Sequence, residues 1–303
     1  MDIEKVVIIP SKSRYECELE RYGSEERARG KYLPQLWQNL QRGHVDQKKN
    51  LAKVKQYFYP HQIITDRINF TPALIEKYDA FVFLGGDNHF TYCSQIMLRY
   101  LQENPQKQKV VFGTVLDPRR SWGGQLNFNV DSFIDFFPRL QQDDFEIEKW
   151  TALEATVQKG KTFSSALAIN HFLVGEKDRE DMSRNYVYLN GKEIFPDKSS
   201  GILVAVGAGS GNGSWYDNVY FDRFQKTDVL CSQAEYARLF LTEHKSRSIA
   251  TLRKEEVLVI HSSNDGEGIV SPDSLKERRI PFPMGAAAEI RISPTYLPVV
   301  RKV

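Results

Sequence analysis

Long hydrophobic runs are missing from this chain. No stretch approaches the ~20 apolar residues that a membrane span requires, so no membrane partner is expected. Cysteine is scarce as well: Cys17, Cys93 and Cys231 stand far apart, with no C-x-x-C pair. That spacing excludes a disulfide framework and a zinc knuckle and suits a reducing, cytoplasmic setting. An excess of one charge is absent too. Lys and Arg number 41 against 39 Asp and Glu, a net charge of +2, which gives no basic surface for nucleic acid. The six histidines are scattered, with no pair at helical spacing to hold a metal. No serine or cysteine carries the local signature of a hydrolytic nucleophile. The first residues, MDIEKVVIIPSKSRYE, set acids before a short apolar strand, which is not the shape of a secretory signal or a transit peptide.

What is present is an ordinary globular mixture, 41% apolar and 26% charged over 303 residues, a length that suits two domains. Apolar runs at 6–9, 61–65, 80–84 and 110–116 read as buried strands. Between them lie helical patterns: two helices over 15–58 with a break at Gly43, a short helix at 72–77, and a longer one after residue 87. This alternation predicts an α/β fold, a Rossmann-like parallel sheet over 1–117. Beyond Asp117 the pattern changes. Short alternating segments at 146–154, 165–173, 185–189 and 201–206, with an Asn190-Gly191 hairpin turn, predict a β-rich second domain over 118–271. A helix at 131–141 is expected to stop or kink near Phe137, because Pro138 follows.

The stretch with the most chemical content is Gly85-Gly86-Asp87, set where the strand at 80–84 feeds a helix. Ligands of open α/β sheets bind at the carboxyl ends of strands, and a helix start offers free N–H groups to phosphate. Two glycines let a ligand approach the backbone. The same residues also suit a plain tight turn with Asp87 as helix cap. A second candidate is the run from Gly207 to Trp215, which holds Gly207, Gly209, Gly211 and Gly213. It fits neither the dinucleotide fingerprint, since position 212 is asparagine, nor the P-loop, so it reads as a flexible turn or a phosphate loop of another kind.

These residues resemble the NAD kinase family, most nearly its mitochondrial-type branch. Gly85-Gly86-Asp87 corresponds to the family's Gly-Gly-Asp-Gly-Thr, with Asn88 and His89 in the last two places. Asp117-Pro118, Arg120-Ser121 and Gly123 resemble its Asp-Pro-x-Arg-Ser-x-Gly loop. Asn170 and His171 stand where the family has Asn-Glu, and Ser199-Ser200-Gly201 precedes Gly207, Gly209, Ser210 and Trp215 as in its Thr-Gly-Ser loop.

The resemblance implies phosphoryl transfer from ATP, carried with Mg²⁺, to the adenosine 2′-hydroxyl of NAD. Asp87 would be the base or orienting carboxylate. Gly85, Gly86, Asn88, His89, Asp117, Arg120, Asn170, His171, Gly207, Gly209, Ser210 and Trp215 would bind nucleotide, and Lys12, Arg14, Arg119 and Arg120 are candidate phosphate cations. It also implies that residues 272–303 return to the first domain, that the active site lies between domains, and that the chain forms a homo-oligomer. The departures at 88, 89 and 171 leave two further readings: a non-catalytic dinucleotide-binding protein, or a kinase of the superfamily acting on another hydroxyl.

Overall fold

The computed structural model describes residues 5–58, 67–119, 124–142, 144–178, 180–195, 198–211, 214–244 and 249–301. Two compact units emerge. The first comprises Met1–Tyr100, Gln106–Ile147 and Pro298–Val303, the second Leu101–Pro105 and Glu148–Leu297. The strand expected at 61–65 lies outside the described residues.

In the first unit, β1 (Val6–Pro10), β2 (Ala80–Gly85) and β3 (Val110–Val115) pair in parallel, and β4 (Phe128–Asn129) joins β3 the same way. Every residue of β1, β2 and β3 is buried. Strands covered on both faces read as unbroken apolar runs, which is why they were legible in the sequence. One face of this sheet packs Ile8, Val82 and Phe112 against α3 (Pro34–Tyr57) and α6 (Val130–Gln141) through Val54, Phe58, Phe133 and Phe137. On the other face Phe70 meets Phe81 and Phe83, and Phe83 meets Phe90 of α5 (Asp87–Glu103). α4 (Pro72–Lys77) lies where the sequence placed it.

The segment before Phe58 differs from expectation. It forms three helices, α1 (Arg14–Tyr22), α2 (Glu25–Arg29) and α3, and Gly43 is buried inside α3 instead of breaking it. The break falls at Gly23, whose φ of 77° closes α1 in the left-handed conformation that glycine adopts freely. The penalty for a mid-helix glycine, about 1 kcal/mol, is outweighed by burying Trp37, Leu51 and Val54. Likewise α6 runs through Pro138 to Gln141. Phe136, Phe137 and Leu140 are all buried there, and that packing offsets the hydrogen bond Pro138 cannot make.

The second unit continues from β5 (Glu146–Trp150) into β6 (Leu153–Lys159), β7 (Thr162–Ala168), β8 (His171–Glu176), β9 (Ser183–Leu189), β10 (Lys192–Phe195), β11 (Lys198–Ser199) and β12 (Ile202–Ala205). After α7 (Trp215–Phe224) come β13 (Tyr236–Leu241), β14 (Ala250–Arg253), β15 (Leu258–Ser262), β16 (Gly268–Pro272), β17 (Ile280–Pro281) and β18 (Ala287–Ile292), and the chain then enters β19 (Leu297–Arg301), a strand of the first unit's sheet. Two sheets result, ordered β10-β9-β15-β18-β6-β7 and β14-β13-β12-β8-β16-β17. Their pairings are antiparallel, so side chains alternate between faces. The inward residues of both sheets, among them Val157, Phe172, Val204, Ile260 and Ile290, form one core. The outer face of the second sheet, carrying Leu203, Ala205 and Phe240, is covered by Tyr216, Val219 and Tyr220 of α7.

The boundaries differ from those read in the sequence. The first unit extends to residue 147 rather than 117, because α6 packs its phenylalanines onto the parallel sheet. Residues from Pro272 do not yet return: β18 pairs with β15 and β6, and the return is made by β19, parallel to β3. The segment expected at 165–173 is two strands, since the chain leaves one sheet after Ala168 and enters the other at His171. The Asn190-Gly191 turn joins β9 to β10, with φ of 50° and 78° as such a hairpin requires.

Candidate active site

Asp87 is the first residue of α5, directly after the carboxyl end of β2. It is half-buried rather than hidden beneath its helix. The backbone N–H of Gln125 donates to its Oδ1 at 3.1 Å, and Thr91, one turn along α5, donates to Gln125 Oε1 at 3.0 Å. The carboxylate is thus tethered through one oxygen. Among the described residues no other donor reaches it. Gly86 is half-buried and its carbonyl accepts the N–H groups of His89 and Phe90, at 2.9 and 3.1 Å, opening the helix. Asn88 is exposed.

Gly85 and His89 do something the sequence did not announce. A Cβ on Gly85 would lie 2.8 Å from Ser11 Oγ and 2.9 Å from the His89 ring. The missing side chain makes room for the chain's own groups, not for an approaching phosphate. His89 is 4% exposed, and its Nε2–H donates to the Ile9 carbonyl oxygen at 2.8 Å. Its Nδ1 is buried with no partner among the described residues. Desolvation pushes its pKa down to about 4; the Ile9 bond opposes that shift and the positive charge of Arg67 reinforces it. His89 is therefore neutral at physiological pH and sits within the packing of the first unit, not on a ligand-facing surface.

The other candidates of this unit are modest. Asp117 is half-buried, and its Oδ1 accepts the Arg119 N–H at 3.3 Å. Arg119 pairs with Asp46 at 2.8 Å, Lys12 with Glu20 at 2.8 Å and Arg14 with Glu18 at 2.5 Å. The Arg119 and Lys12 pairs join largely exposed groups and are worth about 0–1 kcal/mol, weak enough to be exchanged for a phosphate, whereas the Glu18 carboxylate that Arg14 holds is buried, 1% exposed. Arg120 lies outside the described residues, as do Ser121 and Gly123. Arg67 was not singled out in the sequence. Its guanidinium lies 4.2 Å over the Tyr92 ring of α5, and its charge acts on both His89 and Cys17. No sequence pattern marks it.

In the second unit the candidates do converge. Asn170 is 8% exposed and lies in the crossing between β7 and β8. Its carbonyl accepts the Val206 N–H at 3.0 Å, and a Cβ on Gly209 would come within 2.4 Å of the same oxygen. Gly207 is equally close to another segment, with Cys231 O 2.0 Å from where its Cβ would stand. From Gly207 to Ser210 the loop is therefore a closely packed turn, and Gly207 and Gly209 are required where backbone passes backbone. Ser210 is fully buried. Its hydroxyl donates to Gly207 O at 2.8 Å and accepts the Leu230 N–H at 2.8 Å, so it clasps the loop rather than facing a nucleotide.

His171 opens β8 on the face that α7 covers, because Phe172 and Val174 take the inward positions. Its ring packs edge-on against Trp215, the first residue of α7, with centroids 5.7 Å apart, and its Nε2 is 3.1 Å from Ser274 Oγ. Burial lowers its pKa, with Asp273 pulling the other way. Asp273 itself escaped the sequence reading, since its partners lie about a hundred positions away. His89 and His171 each have their own partners, Ile9 for one and Trp215 with Ser274 for the other. Among the described residues no group of three or more His, Cys, Asp or Glu side chains is placed to hold a metal, and no helix is long and apolar enough to cross a membrane.

No protein-family model matches the chain. A curated relative named NAD kinase, from Shewanella halifaxensis (strain HAW-EB4), is 24% identical over 136 residues, 45% of this chain. The chain matches 41% of that relative's length. Among solved structures, yeast NADH kinase complexed with NADH is similar over 99% of this chain and 84% of its own, with a TM-score of 0.65 and 13% identity. The chain is thus NAD kinase-like: its fold matches that structure along nearly its whole length, and its sequence resembles an NAD kinase across a little under half of it.

Proposed function

We propose that the chain is an NAD kinase-like phosphotransferase that moves the γ-phosphoryl group of Mg·ATP to the adenosine 2′-hydroxyl of NAD, forming NADP and ADP. The observation that carries this reading is the state of Asp87. One of its oxygens is tethered to the Gln125 amide, and no other described donor claims the carboxylate. A carboxylate held in this way can accept a hydrogen bond from a hydroxyl, orient it and take its proton. The hydroxyl oxygen attacks the γ-phosphorus, the bond to ADP breaks, and the proton passes to Asp87. Cations near the phosphates spread the developing charge, a role for Lys12, Arg14, Arg67 and Arg119. Asn170 and His171 would hold the dinucleotide acceptor, with Trp215 as the flat neighbour of the imidazole. Nucleotides are the partners in this reading, and a cytoplasmic homo-oligomer is its setting.

A second reading, a dinucleotide-binding protein without turnover, is favoured by His89, whose buried ring fills the space beside Gly85. The two are separated by supplying the purified full chain with Mg·ATP and either NAD or NADH and measuring the phosphorylated product. NADP formation that falls at least ~10²-fold in Asp87→Asn supports the kinase. Binding of NAD without any product supports the second reading. Product formation untouched by Asp87→Asn refutes the role given to that carboxylate.

A further inference from the structure

Asp273 is an unusual carboxylate. It is 5% exposed, follows the end of β16, and has a φ of 51°, with Ser274 next to it at 59°. Two consecutive non-glycine residues in the left-handed region are strained, and such a backbone persists where surrounding contacts over-determine it. The contacts are specific. Asp273 Oδ1 accepts the N–H of Asn170 at 2.8 Å and of His171 at 3.0 Å, and Oδ2 accepts the N–H of Ile169 at 3.0 Å. Its own N–H donates to the His171 carbonyl oxygen at 2.9 Å. These are charge-assisted bonds to three consecutive amides, all in the crossing where the chain passes from β7 to β8. The opposite side of that crossing is closed by Gly209 and by the Val206 N–H on Asn170 O. Asn170 therefore has its backbone gripped from two directions, and Ser274 meets the ring of His171.

We propose that Asp273 is the positioning residue of the acceptor-binding segment: its carboxylate sets the backbone orientation of Asn170 and His171 and acts on the dinucleotide only through them. Both of its oxygens are committed to amides, so it is not a second base. This rests on the NAD kinase-like reading, in which Asn170 and His171 hold the acceptor.

The test uses the full chain with Asp273→Asn and Asp273→Ala. The asparagine keeps one acceptor oxygen, enough for two of the three amides, while its NH2 group cannot accept from Ile169. The expected result for Asp273→Asn is a rise in KM for NAD of about 10-fold, with KM for ATP and the kcat of folded protein within about twofold. Asp273→Ala shifts NAD further in the same direction if it folds; if it does not, the asparagine variant carries the test. An unchanged KM for NAD in folded Asp273→Asn overturns the proposal. So does a decline that affects kcat and both KM values alike and follows the fraction unfolded, because that marks a merely structural carboxylate. If wild type binds NAD without turnover, the same comparison is made on its Kd. If wild type neither phosphorylates nor binds NAD, the functional reading has failed, and the inference fails with it.

Discussion

His89 makes the stability of the first unit depend on pH, and the size of the effect follows from its surroundings. The neutral imidazole satisfies the Ile9 carbonyl through Nε2–H, while Nδ1 meets no partner among the described residues. Protonation places a second N–H and a full charge in a site 4% exposed, with Cys93 Sγ 3.9 Å from Nε2 and the charge of Arg67 adding repulsion. The folded-state pKa of about 4 lies below the ordinary 6.5. The unfolded chain therefore takes the proton more readily, and the stabilisation is complete above pH 6.5 and is lost as pH falls through about 4. The loss amounts to roughly 2 kcal/mol at pH ~5 and approaches ~3 kcal/mol near pH ~4. The assay is urea unfolding of wild type and His89→Gln at pH ~7.5, ~6 and ~5, followed by helical ellipticity, which reports the first unit because α1–α4 and α6 belong to it. Glutamine can reach toward Ile9 with an amide N–H but does not titrate. Wild type should lose stability on acidification more steeply than the variant, by the amounts given. Parallel losses, or an imidazole resonance of His89 titrating near its ordinary pKa, would refute the reasoning.

Three further outcomes are expected. Gly209→Ala drives a Cβ to 2.4 Å from Asn170 O, a clash between two backbones that costs about 1–3 kcal/mol. Its urea midpoint should fall and its KM for NAD rise; if neither moves, the Asn170 segment is freer than its packing indicates. Ser210→Ala removes the acceptor of the buried Leu230 amide, a loss of about 1–3 kcal/mol, while kcat and both KM values of the folded protein stay within about twofold of wild type. A selective rise in either KM would return that hydroxyl to the nucleotide. Burial lowers the pKa values of both His89 and His171 from 6.5, so the pH–rate profile should show no imidazole inflection above that value. An inflection near pH ~7 that disappears in His171→Gln would contradict the burial argument.

The sequence by itself determined the elements whose burial is periodic or unbroken. β1, β2 and β3 could be read because strands covered on both faces are apolar without interruption, and α4 and the Asn190-Gly191 hairpin carry their own local signals. Asp87 could be found because a carboxylate after two glycines, at a strand end, is chemically conspicuous within one short stretch. Gly43 and Pro138 show where local rules yield: each is a breaker by propensity, and each is overridden by aromatic and aliphatic packing against distant strands. The tertiary structure decided what stands beside each conspicuous residue. Gly85 makes room for Ser11 and His89, Gly209 for the backbone of Asn170, and Ser210 closes on Leu230. Asp273, which holds the amides of Ile169, Asn170 and His171, has no signature of its own. Periodicity and turn chemistry act over a few neighbouring residues, whereas the space beside Gly85 or Gly209 and the partners of the buried Asp273 carboxylate are set by segments tens of positions to about a hundred away, brought together only in the folded chain.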